Sequence, residues 1–352
     1  MMQSRRLLSR SWRGGTWVAL EEWRAWEAAL PSSMPLRERY TATLLKTLAQ
    51  LLYTAPFPWA LTGGTAFQSY LRPVHRRYST DLEIITTASG QEVEAWMLAN
   101  GFPPETIHPR ILKCALTPDG TLFVIHSYPQ RDFEAAQIAM REFQHYDLPG
   151  ARPPEALQVP LCSRDFLLAT KLFAIQEPNR GGERKKDAYD LAVGLPLEGT
   201  ADVLGRLEAY AVHRGREGQA REIARCAGTW LAHFAAAGFP TFVAWLQNYV
   251  PAAPAEEVQK SLRSSVESLS KALGMAIEPT DEEQCRFLAQ ELTIADLAPL
   301  GKAFGFKGDP IKQSEKMRDF VLEAALPRIP RPLPAEKKGL LSALQTAARD
   351  ES

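Results

Sequence analysis

The sequence predicts an α+β fold, in which a small mixed sheet with helices packed on it is followed by a helical half. Between Leu36 and Ser127, helical and strand-like patterns alternate in the order helix, strand, helix, strand, helix and hairpin. Residues 200–250 are apolar and have a helical pattern throughout. The 352 residues are 45% apolar and 23% charged, as is typical of a soluble globular protein.

Charge and cysteine content argue against several classes of protein. The formal net charge is zero, so no overall basic field requires a nucleic-acid partner, although local patches can bind one. The cysteines, of which there are four, form no C-x-x-C pair, which argues against a zinc site and against a disulfide framework. No apolar run reaches the length of a membrane span, and the apolar patch at the N-terminus is too short for a signal peptide. We therefore expect a cytoplasmic protein with no membrane partner.

Two predicted helices precede the first strand of the sheet in the sequence. Apolar residues at helical spacing predict helices from Thr16 to about Leu30 and from Leu36 to Tyr53. A Pro-rich break then leads into a short buried strand at Trp59. The second helix is therefore expected to lie behind this strand.

A helix and a hairpin complete the predicted sheet layer. Gly90 to Asn100 has a helical pattern, and Gly101 follows it as a C-cap. Two strand-like runs, Ile111–Leu116 and Thr121–Ser127, are separated by Pro-Asp-Gly, a favourable hairpin turn. These elements predict a mixed sheet covered by helices.

The stretch from Trp59 to Ile85 contains the strongest chemical pattern. Gly63-Gly64 follows the Trp59 strand and opens a short helix, whose backbone N–H groups suit an anion such as a triphosphate. Asp81 and Glu83 are two apart on the next strand, so their carboxylates project from the same face. A hard cation such as Mg²⁺ binds such a pair, with water and substrate phosphates completing its coordination.

The same stretch resembles the AbiEii/AbiGii family of bacterial nucleotidyltransferase toxins, which belongs to the polymerase-β-like superfamily. The resemblance lies in GGTAF followed by RRYSTDLEI, which is similar to the family's GGTAL and R-(F/Y)-S-x-D-(I/L)-D blocks. Glu83 departs from the pattern, because most members have Asp there. A second block, Arg184 to Leu191, matches the family's R-D-x-x-D-L pattern in its acids, with Lys186 in place of the usual Arg.

The resemblance implies roles for individual residues. The metal ligands, for Mg²⁺ or Mn²⁺, would be Asp81 and Glu83. The residues expected to bind the NTP substrate are Gly63, Gly64, Thr65, Arg77 and Ser79. Lys171 would place a positive charge beside the triphosphate, and Asp187 would accept the proton of the attacking hydroxyl. We expect Asp190, one turn after Asp187, to form a salt bridge with Lys171 or an arginine.

One expected group is missing from the sequence. Many superfamily members carry a third carboxylate on the strand after the D-x-D pair, and Leu122–Ser127 offers only His126 there. A histidine on such a strand is more often a satisfied hydrogen-bonding group than a metal ligand. Either Asp187 takes the place of the third carboxylate, as the resemblance implies, or the site is weakened.

The C-terminal region suggests an additional module. Glu291–Leu326 resembles helix-extended-helix DNA-binding modules of the SAP type. Its predicted phosphate-contacting residues are Lys302, Lys307, Lys312 and Lys316. The alternative is that these lysines only form a solvent-exposed helix face. The residues from 327 to 352 alternate proline with basic residues and end in a charged tail, so we expect partial disorder there.

The resemblance also implies a domain plan. Residues 1–150 would form a polymerase-β-like nucleotidyltransferase core with N-terminal helices, and residues 151–254 a helical half that completes the active site. Residues 255–352 would form a helical C-terminal extension.

Three functional hypotheses follow. The first is a Mg²⁺-dependent enzyme that moves a nucleotidyl group from NTP to RNA, with tRNA as the expected acceptor, in a toxin–antitoxin or abortive-infection phage-defence system. The second is a catalytically weakened subunit that binds DNA or RNA through its C-terminal module. The third is an interaction protein whose helical half binds a cognate antitoxin protein or another defence component.

Overall fold

The computed structural model describes most of the chain. The described residues are 25, 28–30, 36–79, 81–116, 122–143, 158–177, 183–195, 199–250, 252–334 and 336–349. The helix predicted from Thr16 to Leu30 and the Pro-Asp-Gly turn lie almost wholly outside these ranges. No helix in the described part combines the length and the apolar character that crossing a membrane requires.

The first half of the chain alternates strands and helices. The strands are β1 (Trp59–Thr62), β2 (Asp81–Thr86), β3 (Glu105–His108), β4 (Ile111–Ala115), β5 (Leu122–Ser127), β6 (Ala139–Glu142) and β7 (Gln158–Leu161). The helices of this part are α1 (Leu36–Thr54), α2 (Gly63–Gln68), α3 (Gly90–Ala99) and α4 (Gln130–Ala135).

The second half is helical. Its first helices are α5 (Arg164–Ile175), α6 (Glu183–Gly194), α7 (Thr200–His213), α8 (Ala220–Ala235) and α9 (Phe239–Tyr249). The C-terminal helices are α10 (Ala255–Leu273), α11 (Asp281–Gln290), α12 (Ile294–Ala303), α13 (Ser314–Ala325) and α14 (Lys337–Arg349). The predicted α+β class, a mixed sheet followed by helices, is confirmed.

The chain divides into two compact units whose segments alternate along the sequence. The first unit contains residues 1–170, 201–220 and 248–253. The second unit contains residues 171–200, 221–247 and 254–352. The predicted division into domains at 150/151 and 254/255 remains a prediction.

The first unit is built on one mixed sheet. Within the described residues, seven strands form this sheet in the order β3-β4-β5-β2-β1-β7-β6. Strand β2 lies at its centre, where it pairs antiparallel with β1 and parallel with β5. Strands β4 and β5 pair antiparallel, which confirms the predicted hairpin. The strand that carries Asp81 and Glu83 is therefore held on both sides.

Alternation along β2 directs its side chains to two environments. Leu82 and Ile84 are fully buried, whereas Asp81 and Glu83 are only partly buried. On the apolar side, an aromatic cluster contains Trp96 of α3, whose ring centroid lies 6.3 Å from that of Phe123 on β5. Burial of this apolar face fixes the register that presents the carboxylates on the opposite face.

The ends of α3 follow from local sequence. Ser89 caps its start, with its hydroxyl accepting from the Glu92 N–H and the Glu92 carboxylate accepting from the Ser89 N–H. Gly101 follows the helix with φ +77°, a left-handed conformation that glycine adopts without a Cβ penalty. The predicted helix from Gly90 and its glycine stop are confirmed.

All the regular secondary structure among the described residues of the second unit is helical. Its C-terminal part, α11 to α14, has a hydrophobic core of its own. Leu297, Met317 and Leu344 are all fully buried in that core. The two helices predicted within Glu291–Leu326 are confirmed as α12 and α13.

The expectation of disorder after residue 327 is wrong for the last helix. Helix α14 runs from Lys337 to Arg349, and Leu340 and Leu344 on it are fully buried. Its apolar residues recur at helical spacing, which gives the segment a face to bury despite its polar composition. The strands β3 and β6 were not predicted either, because their exposed residues lack a clear alternation.

Replacing Leu344 tests the packing of α14. We expect Leu344→Ala to lower the free energy of unfolding of the second unit by about 2–5 kcal/mol, because it leaves a cavity in a fully buried position. The exposed neighbour Gln345 supplies the matched control, Gln345→Ala, which should change stability by less than about 0.5 kcal/mol. Urea unfolding measures both variants, and equal midpoints would contradict the packing of this helix.

Candidate active site

The Gly-Gly turn brings the backbone of α2 directly against two side chains with predicted roles, Glu83 and Arg77. Gly63 has φ +69°. A Cβ built on Gly63 would lie 2.0 Å from Oε2 of Glu83, and one built on Gly64 would lie 2.6 Å from Nη2 of Arg77. Gly63 is favoured by its positive φ, and a side chain at either position would have to displace the end of Glu83 or of Arg77. The turn holds a carboxylate and a guanidinium over adjacent peptide units.

The register of the sheet places the two predicted metal ligands on one face. Glu83 lies opposite Thr62, the last residue of β1, and Asp81 is two residues earlier on the same strand. Both carboxylates are partly exposed. Two such oxygen donors, with waters and substrate phosphates as further ligands, are the set by which proteins usually bind Mg²⁺ or Mn²⁺. The residues present fit the implied metal.

The loop before β2 is fastened to α2 by buried polar contacts. The Thr65 hydroxyl donates to the carbonyl oxygen of Asp81 and lies 3.0 Å from the Ser79 Oγ. The Arg77 N–H donates to Oε1 of Gln68 at 2.7 Å. These contacts fix the position at which Asp81, the first predicted metal ligand, begins the strand.

Three of the predicted nucleotide-binding side chains are buried. Thr65 is fully buried, Arg77 is 2% exposed and Ser79 is 6% exposed. Their observed contacts hold the loop in place, and the Arg77 guanidinium also donates to the carbonyl of Tyr78. Their predicted contacts with phosphate or base remain predictions.

The strand beside the carboxylates has no acidic side chain. Leu122 lies opposite Asp81, and Val124 lies opposite Glu83, on the same face of the sheet. Among the described residues, no group of three or more His, Cys, Asp and Glu side chains could hold a metal ion. The missing third carboxylate is therefore a feature of the fold as well as of the sequence.

His126 is unsuited to replace that carboxylate. It lies opposite Ile85, two residues beyond the pair formed by Glu83 and Val124. Burial is the main cause that lowers the pKa of the imidazole to about 4, with smaller contributions from the neighbouring Arg214 and His213. At neutral pH, His126 is therefore an uncharged hydrogen-bonding group.

The second unit contains a buried ion cluster formed by predicted catalytic residues. Lys171 on α5 lies 2.8 Å from the Asp187 carboxylate and 2.9 Å from the Asp190 carboxylate, both on α6. The side chains of Lys171, Asp187 and Asp190 are 9%, 2% and 0% exposed. The spacing of three residues puts both acids on one side of α6. The predicted salt bridge between Asp190 and Lys171 is confirmed.

Arg184 closes the start of α6 and was given no role from the sequence. Its guanidinium donates to the carbonyl oxygens of Ile175 and Glu177 at the end of α5. It also lies 4.6 Å from the ring centroid of Trp230. Arg184 thereby joins the two helices that carry Lys171 and the acids. The sequence signal that could have indicated its importance was its position as the first residue of the Arg184–Leu191 block.

The four lysines of the C-terminal module are all exposed. Lys302 lies on α12, Lys316 lies on α13, and Lys307 and Lys312 lie between these helices. This arrangement leaves their ammonium groups accessible to phosphate. Their predicted contact with nucleic acid remains a prediction.

Substitution of Gly63 tests the close approach of the turn. We expect Gly63→Ala to destabilise the first unit by at least about 1–2 kcal/mol, because the residue has a positive φ and the new methyl group meets Glu83. The matched control is Gly205→Ala on α7, where no atom lies within 4 Å of an added Cβ. That change should be neutral or stabilising by up to about 1 kcal/mol. Thermal unfolding that ranks the two variants in the opposite order would contradict the geometry.

Removal of the buried lysine tests the ion cluster. Lys171→Met should cost about 3–5 kcal/mol of unfolding free energy, because it leaves two carboxylates buried without their cation. The triple variant that adds Asp187→Asn and Asp190→Asn should recover most of this loss. Lys260→Met, at an exposed position of α10, is the control. If denaturant unfolding found Lys171→Met as stable as Lys260→Met, the cluster would not be the structural unit described.

Comparison with known proteins gives one informative match. Residues 130–270 match the family model described as "Nucleotidyl transferase AbiEii toxin, Type IV TA system". The matched range contains Lys171 and Asp187, and it begins after the stretch from Gly63 to Glu83. No curated protein matches the chain.

A solved structure has a weaker similarity. An antigenic nucleotidyltransferase-like protein from Paracoccidioides brasiliensis is 16% identical, with 53% of this chain and 93% of that chain covered, at a TM-score of 0.33. A similarity of this size supports no conclusion about the present chain. The family match is more informative, because residues 130–270 are similar to the nucleotidyltransferase domain of the AbiEii toxin family.

Proposed function

We propose that the protein transfers a nucleotidyl group from an NTP to an RNA acceptor, with tRNA as the expected acceptor, in a Mg²⁺- or Mn²⁺-dependent reaction. The observation that carries the proposal is the placement of Asp81 and Glu83 on one sheet face, with Glu83 held against Gly63. The family match of residues 130–270 supports the reaction class.

The proposed reaction is an in-line displacement. An acceptor hydroxyl attacks the α-phosphorus of the NTP, the bond from that phosphorus to the β-phosphate oxygen breaks, and pyrophosphate leaves. A divalent cation bound by Asp81 and Glu83 would neutralise charge that develops on the phosphate oxygens. The missing side chains at Gly63 and Gly64 leave room for the Glu83 carboxylate and the Arg77 guanidinium, so both groups lie beside the turn that is proposed to bind the phosphates.

The ion cluster of the second unit supports two predicted roles. Lys171 would offer its positive charge to the triphosphate, and Asp187 would accept the proton released by the attacking hydroxyl. Lys171 and Asp187 lie 2.8 Å apart, so the two predicted roles fall on one buried cluster. Asp190 holds the same lysine and so orients it.

The biological setting follows from the matched family. The family description includes a type IV toxin–antitoxin system, and we propose that this protein is the toxin of such a system with a cognate antitoxin as its partner. Transfer of nucleotides to tRNA would account for toxicity, because a modified acceptor end blocks aminoacylation. Phage defence by abortive infection would use the same reaction.

A second function is favoured by two observations. Strand β5 has no carboxylate beside Asp81 and Glu83, and the C-terminal module exposes four lysines. These features fit a catalytically weakened subunit that binds DNA or RNA. In that case affinity would fall steeply with salt and would depend on Lys302, Lys307, Lys312 and Lys316.

Nucleotidyl transfer tests the proposal directly. The purified protein is incubated with Mg²⁺, each labelled NTP in turn and total tRNA, beside Asp81→Asn, Glu83→Gln and the control Glu94→Gln on the exposed side of α3. We expect label to enter tRNA with the unaltered protein and the control, and the rate to fall at least about 100-fold in the other two variants.

Two outcomes would contradict the proposal. Equal labelling by Asp81→Asn and the unaltered protein would remove these carboxylates from the reaction. An absence of labelling with every NTP, together with salt-sensitive RNA binding that is lost when the four lysines are changed to glutamine, would instead support the binding subunit.

A further inference from the structure

A cavity in the first unit lies at the end of β5. Its volume is about 280 Å³, close to the lower end of the range of small-molecule sites. The residues that line it include His108, Arg110, His126, Ser127, His213 and Arg214. All of them belong to the first unit, although they come from three separate parts of the chain. None of the roles assigned above uses this cavity.

The lining of this cavity suits an anion. Arg110 and Arg214 contribute guanidinium groups, both of them exposed at its rim. No aspartate or glutamate is among the described residues that line it. Guanidinium groups bind phosphate with a planar, two-pronged set of donors, which makes arginine the usual phosphate-binding residue at such sites.

A buried hydroxyl in the cavity has no partner among the described residues. Ser127 is 8% exposed, and its Oγ makes no hydrogen bond there. Buried hydroxyl groups are nearly always hydrogen-bonded, so this one requires a partner from outside the described protein atoms. A phosphate oxygen entering the cavity would accept its proton.

Three imidazoles complete the lining with defined orientations. Nδ1 of His108 accepts from the Arg110 N–H at 3.3 Å, so its Nε2 carries the outward hydrogen. Nδ1 of His213 lies 2.6 Å from the Asp132 carboxylate, which holds the ring from outside the cavity. The neutral His126 adds an uncharged polar group. Among the imidazoles, the Nε2–H of His108 is the hydrogen-bond donor that adds to the two guanidinium groups.

The cavity shares a strand with the carboxylate face. His126 lies opposite Ile85, two residues beyond Glu83 and four beyond Asp81 along the parallel pair. At about 3.3 Å per residue, these offsets are about 7 Å and 13 Å along the strand. Such distances correspond to about two to four steps of a stacked nucleic-acid strand.

We propose that this cavity is a phosphate-binding subsite for a phosphodiester of the RNA acceptor, a few nucleotides away from the reacting hydroxyl. The assignment rests on the proposed function. The phosphates of the NTP are expected at the Gly63-Gly64 turn and the carboxylates, so a phosphate site farther along β5 fits the second substrate. Arg110 and Arg214 bind the phosphate, and Ser127 donates to it.

RNA binding without NTP or metal tests the subsite. The full-length protein is titrated with a fluorescent single-stranded 12-nucleotide RNA in EDTA, and the dissociation constant is measured at several salt concentrations. The variants are Arg110→Gln, Arg214→Gln and Ser127→Ala. Arg131→Gln is the matched control, because Arg131 is exposed on α4 and does not line the cavity. Thermal unfolding identifies any variant that is misfolded.

The expected result is specific to RNA. Each cavity arginine variant should weaken RNA binding about 3- to 10-fold and lower the salt slope by about one, while the control stays within about twofold. Ser127→Ala should weaken binding about 2- to 5-fold. Calorimetric affinity for Mg²⁺-ATP should be unchanged in all of them.

Two results would overturn the subsite. One is unchanged RNA affinity in all three cavity variants, and the other is a loss of ATP affinity without a loss of RNA affinity. The binding measurement needs no turnover, so it is independent of the transfer assay. A protein that binds RNA through this cavity and transfers no nucleotide would refute the proposed function and leave the subsite standing.

Discussion

The contact between the Gly63-Gly64 backbone and the side chains of Glu83 and Arg77 is the constraint on which the first unit's site depends. A side chain at either glycine would occupy the space of these groups. The sheet supplies the other half of the constraint, because burial of Leu82 and Ile84 sets which face of β2 presents carboxylates. The site is therefore an outcome of core packing combined with two missing side chains.

The second unit depends on a cluster of buried charges. Its buried cluster joins the Lys171 ammonium to the carboxylates of Asp187 and Asp190, and an arrangement of this kind is stable only while every charge keeps its partner. Arg184 adds a support by joining the ends of the two helices that carry the cluster. The match of residues 130–270 to the AbiEii nucleotidyltransferase family model covers this region.

Local sequence patterns predicted the features that depend only on residues close together in the chain. Two acids spaced by one residue had to share a strand face, and the Ser89–Glu92 pair and Gly101 marked the ends of α3. Contacts between residues far apart in the chain could not be predicted in the same way. The burial of Leu344 depends on helices far away in the chain, and the histidine-rich cavity joins residues about 100 positions apart, such as His108 and His213. No spacing of residues in the sequence indicates such long-range contacts.

The central claim is that Asp81 and Glu83 hold a divalent cation together with a nucleotide. The most direct measurement is electron paramagnetic resonance of Mn²⁺ titrated into the protein with a non-hydrolysable NTP analogue. Loss of the free Mn²⁺ signal at about one to two ions per chain, abolished in Glu83→Gln and retained in Glu94→Gln, is the predicted result. Equal Mn²⁺ binding by the unaltered protein and Glu83→Gln would contradict the claim.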